Sequence, residues 1–304
     1  MIFIILQIIF LISLAPLVSG IITKIKNNLR LRRGQSVWQP YYNLAKLFSK
    51  DEVCSEHSSW VFKITPFIVF ASSLLALFLV PAFIAKSPAQ YLGDLLLLVF
   101  IFSLGRFFLA LAGLDTGSSF GGMGSSREMF ISSFAEPAIV MAFFAVSFNF
   151  GTTNLAATCG PGALKFSSLI AGIALLIVTL AETSRIPIDN QETHLELTMI
   201  HEAMALEYSG PSLALIELAS YLKQIVFFTL ISATVYPVVF CAQITPIQAL
   251  TGIIIYLAKI SFIAVLIAFT EVFLAKMRLF RAVDFLYFSF VLALLALIAA
   301  TLGA

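Results

Sequence analysis

Long apolar runs separated by polar segments dominate the chain. A membrane-spanning helix needs about 20 apolar residues, and eight runs reach that length: roughly residues 2–22, 64–85, 92–113, 129–150, 164–184, 222–243, 247–275 and 284–303. The first run lacks the basic start and small-residue cleavage site of a signal peptide, so we interpret it as a retained helix. The pattern predicts an all-α integral membrane protein of about eight transmembrane helices, forming a single membrane domain over residues 1–304.

Composition and charge place this bundle in a bilayer and give it an orientation. Hydrophobic residues make up 60% of the chain and charged residues 11%, with a mean hydropathy of +1.02, whereas soluble domains carry about 25% charged residues. Fourteen Lys and Arg residues belong to the side of the loops that follow helices one, three, five and seven, against Lys86 and Lys165 on the other side. Because cytoplasmic loops are enriched in Lys and Arg, we expect a multi-pass protein of the cell inner membrane with external termini.

The long polar segment after the fifth predicted helix is acidic. The sequence AETSRIPIDNQETHLELTMIHEA (181–203) has one Arg and five carboxylates: Glu182, Asp189, Glu192, Glu196 and Glu202. A solvated face is the usual interpretation of such a run. However, Glu192 and Glu196 would share a helical face, and LELTMIHEAMALEY (195–208) has the spacing of a packed amphipathic helix. Carboxylates held close together and partly desolvated have raised, coupled pKa values, so this cytoplasmic loop could exchange protons near neutral pH.

Several ionisable residues lie within or beside the apolar runs. Glu136 is near the start of helix four, Arg106 is inside helix three and Glu271 is near the end of helix seven. Because a charge at the bilayer centre costs about 2.5–3.5 kcal/mol on insertion scales, such groups mark ion pathways, with structural pairing or snorkelling as the alternative. Arg127 precedes Glu136 by nine residues, about 13 Å along a helix. This separation is too long for a direct ion pair and favours a link through water or Glu182.

Common cofactor motifs are absent. Cys54, Cys159 and Cys241 are widely separated, so the chain alone cannot hold an iron–sulfur cluster or a four-cysteine zinc site. His201-Glu202 lacks the second histidine of a zinc-protease helix. The glycines of GSSFGGMGSS (117–126) do not form a phosphate-binding loop, and we interpret them as a turn between helices three and four.

The acidic loop carries a family resemblance. ETSRIPID (182–189), followed by Glu192, Glu196 and EYSG (207–210), resembles the cytoplasmic loop of subunit 1 of respiratory complex I and of the related anchor in group 4 membrane-bound NiFe hydrogenases and formate hydrogenlyase. NLRLRRG (28–34) with Lys46 is similar to the first basic loop of that family, and KMRLFR (276–281) to its last. The resemblance covers essentially the whole chain, including the helix count.

Departures from the complex I pattern favour the hydrogenase branch. His194 occupies a position where quinone-reducing enzymes usually have Glu, although a histidine also titrates near neutrality. The segments that resemble hydrogenase-type anchors are THLELTMIHEAM (193–204), GLDTGSSFGGMGSSRE (113–128) and RRGQSVWQPYYNLAKLF (32–48).

The resemblance implies a membrane subunit without redox chemistry of its own. It would dock hydrogenase-like large and iron–sulfur small subunits to antiporter-like membrane subunits in the lipid bilayer, and it would pass charge to H+ or Na+ translocation. Iron–sulfur clusters, and NiFe where the large subunit retains it, would belong to those partners, with no cofactor in this chain and no nucleic acid among the partners. The alternatives are a quinone-binding subunit 1 of a complex I-like NADH dehydrogenase and a free-standing ion transporter.

The resemblance also implies roles for individual residues. The charge relay consists of Glu136, Glu182, Asp189, Glu192, His194, Glu196, Glu202 and Glu207. Supporting cations are Arg106, Arg127 and Arg185. Docking cations are Arg32, Arg33, Lys46, Arg278 and Arg281.

Overall fold

The computed structural model describes residues 2–54, 58–82, 93–155, 165–189, 199–235 and 246–303. Within these ranges the chain forms ten helices. They are α1 (Ile2–Leu29), α2 (Gln39–Phe48), α3 (Trp60–Leu79), α4 (Leu95–Asp115), α5 (Ser119–Phe150), α6 (Phe166–Glu182), α7 (His201–Ala205), α8 (Gly210–Val235), α9 (Pro246–Phe273) and α10 (Leu279–Thr301).

The predicted all-α membrane fold is confirmed. Seven helices in the described ranges are long and apolar enough to cross a membrane, and α6 is an apolar helix just below that length, with 17 residues. Every predicted apolar run falls on one of these eight helices, so the predicted number is approximately right. The helix α5 has 32 residues, which is about 48 Å at 1.5 Å per residue. It therefore extends beyond a hydrocarbon layer about 30 Å thick.

The glycine- and serine-rich segment predicted as a turn is helical from Ser119 onward, so that prediction was wrong. The Ser118 hydroxyl accepts a hydrogen bond from the backbone N–H of Gly121 and caps α5. A Cβ added at Gly121 would lie 2.3 Å from the Gly113 carbonyl oxygen, and one at Gly124 would lie 2.8 Å from the Ala203 side chain. Gly121 and Gly124 therefore serve close packing of α5 against α4 and α7, whereas Gly117, with a positive φ of 64°, lies in the short turn before α5.

The loop predicted over 182–222 is shorter than expected, because α8 already begins at Gly210. Glu217 lies before the apolar run 222–243 that was used to place this helix, and Lys223 lies at the start of that run. In the structure both side chains line cavities inside the protein. The helical spacing of the apolar residues continues through these two positions, although the unbroken run of hydrophobic residues does not.

The site lies between the middle of α4, the middle of α5 and the end of α6. The helix α5 packs against α4, α6 and α10, and α3 packs against α4 and α8. Phe102 of α4 stacks on Phe227 of α8 with ring centroids 5.3 Å apart. Large apolar side chains such as Phe100, Phe262 and Phe288 are exposed on the outside, as expected for surfaces that contact lipid.

Candidate functional site

The segment after α6 turns inward rather than into solvent. Ser184 has a positive φ of 51°, and the Arg185 N–H donates to the Leu180 carbonyl over 2.8 Å, which closes the end of α6. Residues 184–189 are all buried in this chain. The first part of the acidic loop is therefore not a solvated face, because the helices of the chain itself bury it.

Asp189 connects this segment to two others. Its Oδ2 accepts hydrogen bonds from the backbone N–H groups of Ile200 (3.1 Å) and His201 (3.2 Å), and its Oδ1 lies 3.0 Å from Lys276 Nζ. The carboxylate therefore fixes the start of α7 and the basic segment between α9 and α10.

Arg106 joins two predicted relay carboxylates that lie on different helices, Glu136 of α5 and Glu182 of α6. One guanidinium NH2 group lies 2.6 Å from Glu136 Oε1, and the other lies 2.5 Å from Glu182 Oε1. The Arg106 Nε is 3.8 Å from Glu128 Oε1, and the Ser103 hydroxyl donates to Glu136 over 2.8 Å. Arg106 thus connects Glu136 directly to Glu182, whereas Arg127, which was expected to be linked to Glu136, donates to the Met199 carbonyl oxygen instead.

Lys223 completes this group, which we call the Arg106 cluster: Arg106, Glu128, Glu136, Glu182 and Lys223. Lys223 Nζ lies 2.6 Å from Glu182 Oε2 and 5.7 Å from the centroid of the Phe102 ring. Sequence reasoning assigned Lys223 to a loop and gave Glu128 no role. For Glu128 a signal was available in the sequence. Glu128 and Glu136 are eight residues apart and so lie on one helical face.

A small cavity of ≈ 50 Å³ with a mixed polar and apolar lining lies against the Arg106 cluster. Arg106, Glu128, Glu182, Ser184, His201 and Lys223 are among its lining residues. One water needs about 10–15 Å³ by this measure, so the cavity has room for a few waters. Burial lowers the pKa of His201 from its ordinary value, so this side chain is neutral at pH 7 and can exchange hydrogen bonds with such waters.

Arg185 belongs to a different group from Glu182, although only three residues separate them. Its guanidinium lies 2.6 Å from Glu271 Oε1 and donates to Gln224 Oε1 over 3.0 Å. Glu202 lies on the wall of a second cavity beside this group. Burial, with added repulsion from Asp189, raises the pKa of Glu202 to about 7.

The remaining predicted residues are dispersed. Arg127 donates to the Met199 carbonyl oxygen over 3.1 Å and so anchors the far end of the acidic loop. Glu207 is exposed beyond α7. The three other relay residues lie outside the described part of the chain: Glu192, His194 and Glu196. All five docking cations are exposed, as a docking role requires: Arg32, Arg33, Lys46, Arg278 and Arg281.

No metal centre is formed by the part of the chain that the structure describes. There, no group of three or more His, Cys, Asp and Glu side chains is placed to hold a metal ion. The buried charges of the site pair with one another.

Comparison with known proteins identifies several relatives. The profile of the NADH dehydrogenase family matches residues 1–302. Hydrogenase-4 component C of Escherichia coli is 34% identical over 299 residues, covering 97% of this chain and 94% of the relative. Formate hydrogenlyase subunit 4 of the same organism is 30% identical, covering 90% of each chain. A subunit of the NADH-quinone oxidoreductase of Paraburkholderia xenovorans is 28% identical, covering 74% of this chain and 67% of the relative.

The fold has a counterpart among solved structures. A chain of the membrane-bound sulfane sulfur reductase, an archaeal respiratory membrane complex, superposes with a TM-score of 0.85 and covers 98% of each chain. Its sequence identity is 18%, so this likeness concerns the fold alone.

Proposed function

Because the chain belongs to the NADH dehydrogenase family, we propose that it is the non-redox membrane subunit of an ion-translocating oxidoreductase complex of membrane-bound hydrogenase type. It docks the redox arm of that complex to the membrane arm. It also relays charge from the redox site to the translocation of H+ or Na+. Hydrogenase-4 component C and formate hydrogenlyase subunit 4 match nearly the full length of this chain, which supports the hydrogenase type over complex I.

The Arg106 cluster is the observation that carries the relay. It runs continuously from Glu182, at the end of α6, through Arg106 to Glu136 on α5. The side chains of Arg106 and Glu182 are 5% and 3% exposed, whereas that of Glu136 is 37% exposed. A carboxylate facing lipid would cost about as much as other intramembrane charges, roughly 2.5–3.5 kcal/mol. The partial exposure of Glu136 therefore supports a contact between this carboxylate and a neighbouring, antiporter-like membrane subunit.

The charges of the cluster explain how it would respond to a proton. Three carboxylates and two cations sum to −1 when all five are ionised. Arg106 stays protonated at any physiological pH, so added protons go to the carboxylates. One proton makes the cluster neutral, and it weakens the hold of Arg106 on the carboxylate that receives it. Arg106 can then shift towards the other carboxylate, which passes the charge change along the chain from Glu182 to Glu136.

The cytoplasmic surface supports docking of the redox arm. Its exposed cations lie on the first basic loop, on α2 and near the start of α10, and clustered positive charge steers the approach of an acidic partner surface. The partners are a hydrogenase-like large subunit and an iron–sulfur small subunit, and they hold the iron–sulfur clusters and any NiFe centre. The proposed orientation in the cell inner membrane has both termini external. A reporter fused after Ala304 tests it, and activity of that reporter only in the cytoplasm would contradict it.

The quinone-binding alternative expects an amphipathic cavity between the first basic loop and the acidic loop. A cavity of ≈ 280 Å³ does lie there, but polar side chains such as Lys26, Gln35 and Asn43 line it. Small-molecule pockets are lined predominantly by hydrophobic and aromatic groups, and a quinone ring with its tail requires such walls. The lining therefore favours water and ions as occupants.

Copurification tests the proposed function directly. The tagged chain, extracted from native membranes in mild detergent, should bring down a hydrogenase-like large subunit, an iron–sulfur subunit and antiporter-like subunits. Bound quinone together with NADH-oxidising subunits would support the complex I alternative instead. Recovery of the chain alone, with ion transport by that chain in vesicles, would contradict the proposal.

A further inference from the structure

A second buried charge group lies beside the larger cavity. Glu271, on α9, is 3% exposed, and its Oε2 lies 3.0 Å from Lys26 Nζ of α1. Its Oε1 lies 2.6 Å from the Arg185 guanidinium. Arg185 and Lys26 are both buried. We call these three residues the Glu271 cluster, and they join α1, α9 and the segment after α6.

The cavity of ≈ 280 Å³ gives this cluster access to water. Lys26, Arg185 and Glu271 lie on its wall together with hydroxyl and amide groups of α1 and α2. At about 10–15 Å³ per water by this measure, the cavity has room for well over ten waters. Ser184 lines both this cavity and the smaller one beside the Arg106 cluster. Ser184 therefore lies between the two cavities.

The charges around Glu271 set its resting state. The Glu271 cluster sums to +1 when ionised, and the two flanking cations hold the carboxylate in its negative form. Titratable and charged groups face the cavity from every element around it: Lys26 from α1, Arg185 and Asp189 from the segment after α6, Glu202 from α7, Glu217 and Tyr221 from α8, and Glu271 itself from α9.

We propose that Glu271 is a second proton-relay carboxylate, which takes up a proton from the water-filled cavity when Arg185 moves away from it. This inference rests on the proposed function. The exchange keeps the local charge constant, because one cation leaves the carboxylate as one proton arrives from a hydronium ion, which becomes water. Arg185 and Glu182 lie on the same short segment, so a displacement that alters the Arg106 cluster also alters Arg185.

A static role makes a different prediction. If Glu271 only pins α1 to α9, replacing Lys26 and Glu271 by neutral residues should leave translocation intact in the complexes that assemble, because Arg185 keeps its hydrogen bond to Gln224. If Glu271 relays protons, translocation stays low in the neutral double variant, because no titrating group remains. The double variant therefore separates the two roles.

The experiment uses the whole complex in sealed vesicles. Glu271→Gln and the double variant Lys26→Met/Glu271→Gln are compared with wild type for assembly, electron transfer to an artificial acceptor and H+ movement. Asp284→Asn, which removes an exposed carboxylate on α10, is the matched control. We expect both Glu271 variants to assemble and to lose H+ movement by on the order of 10²-fold, the effect of losing a positioned proton-transfer group. Normal H+ movement in the double variant would overturn the inference, as would normal movement in Glu271→Gln.

A parallel variant separates this inference from the proposed function, and another guards against misfolding. If Glu136→Gln loses H+ movement while Glu271→Gln does not, the second relay carboxylate fails and the first relay stands. If neither variant changes it, both fail.

If Glu271→Gln does not assemble, Lys26→Gln decides, because it leaves the carboxylate paired with Arg185 alone. Protonation then becomes easier, and the pH profile of H+ movement should shift upward. An unchanged profile would overturn the inference.

Discussion

Arg106 and Glu182 form an ion pair of 2.5 Å that connects α4 to the last residue of α6. They are 76 residues apart in sequence, and both side chains are almost completely buried. Each of these two buried charges is therefore compensated mainly by the other. Breaking a buried pair by removing one partner is strongly destabilising, because the other charge stays buried without compensation.

Arg106→Met should therefore destabilise the protein by about 3–5 kcal/mol. It removes the cation shared by Glu136 and Glu182 and leaves only Lys223 beside three carboxylates. The measurement is denaturant unfolding of the purified complex in detergent. Arg281→Met, which removes an exposed cation, serves as the control and should change stability by no more than about 0.5 kcal/mol. Equal stability of the two variants would show that the Arg106 cluster does not hold the fold.

Glu136→Gln should leave assembly nearly intact and reduce ion translocation by on the order of 10²-fold. Glutamine keeps the shape of the side chain and can still accept from Arg106 and Ser103, but it cannot carry the proton. Electron transfer to an artificial acceptor, assembly and translocation are measured in the same vesicles. Ser133→Ala, at an exposed position one turn away on α5, is the matched control. Unaltered translocation would refute the relay, and failed assembly would assign Glu136 a structural role.

Glu202 should make stability depend on pH. Burial raises its pKa to about 7 from an ordinary value of 4.5, so the folded state binds more protons than the unfolded state between these values. Its contribution to stability is fully present below pH 4.5 and is lost as the pH rises through 7. In Glu202→Gln the fall in Tm between pH 5 and pH 8 should become smaller. A Tm difference that equals that of the wild type would contradict the burial of this carboxylate.

Gly124→Ala should destabilise the contact between α5 and α7. The new Cβ would lie 2.8 Å from the Ala203 side chain and 3.0 Å from the Ile200 carbonyl oxygen, and such overpacking costs about 1–3 kcal/mol. Gly122→Ala is the matched control, because nothing lies within 4 Å of its Cβ position. It should be stabilising by about 0.5–1 kcal/mol through helix propensity. Tm values of both variants decide, and a stabilising Gly124→Ala would show that the packing is loose.

Lys46 should crosslink to a cluster-bearing subunit in the intact complex. Its side chain is exposed on α2, beside the first basic loop that we assign to docking. The measurement is amine-specific crosslinking of the native complex followed by mass spectrometry, with Lys223, which lines the smaller cavity, as an internal comparison of low reactivity. Crosslinks from Lys46 only to membrane-arm subunits would contradict the assignment.

The helices were predictable because the chain lies in a lipid bilayer. A lipid-exposed backbone must satisfy its hydrogen bonds within the segment, so apolar runs of sufficient length leave little choice but helix. The start of α8 was missed for the complementary reason. Its first part turns Glu217 and Lys223 towards cavities, and a count of apolar residues treats such inward-facing charges as loop.

Only part of the site was predictable. Glu136 and Glu182 were identified because carboxylates in or beside membrane helices are costly. Their shared partner Arg106 was recognised as unusual, but its contacts join positions that sequence spacing does not relate. Spacing along one element also misled in the opposite direction. Glu182 and Arg185 are neighbours in sequence, yet they point into different clusters, because Ser184 between them has a left-handed backbone conformation.

The short distance along the chain between Glu182 and Arg185 has a thermodynamic consequence. If the segment that holds both has two arrangements, proton uptake in the Arg106 cluster and proton uptake at Glu271 become linked equilibria. Linkage is reciprocal, so the factor by which one uptake changes the proton affinity of the other applies equally in reverse. Titrating either cluster, with the other cluster protonated and then deprotonated, would therefore give the same coupling free energy.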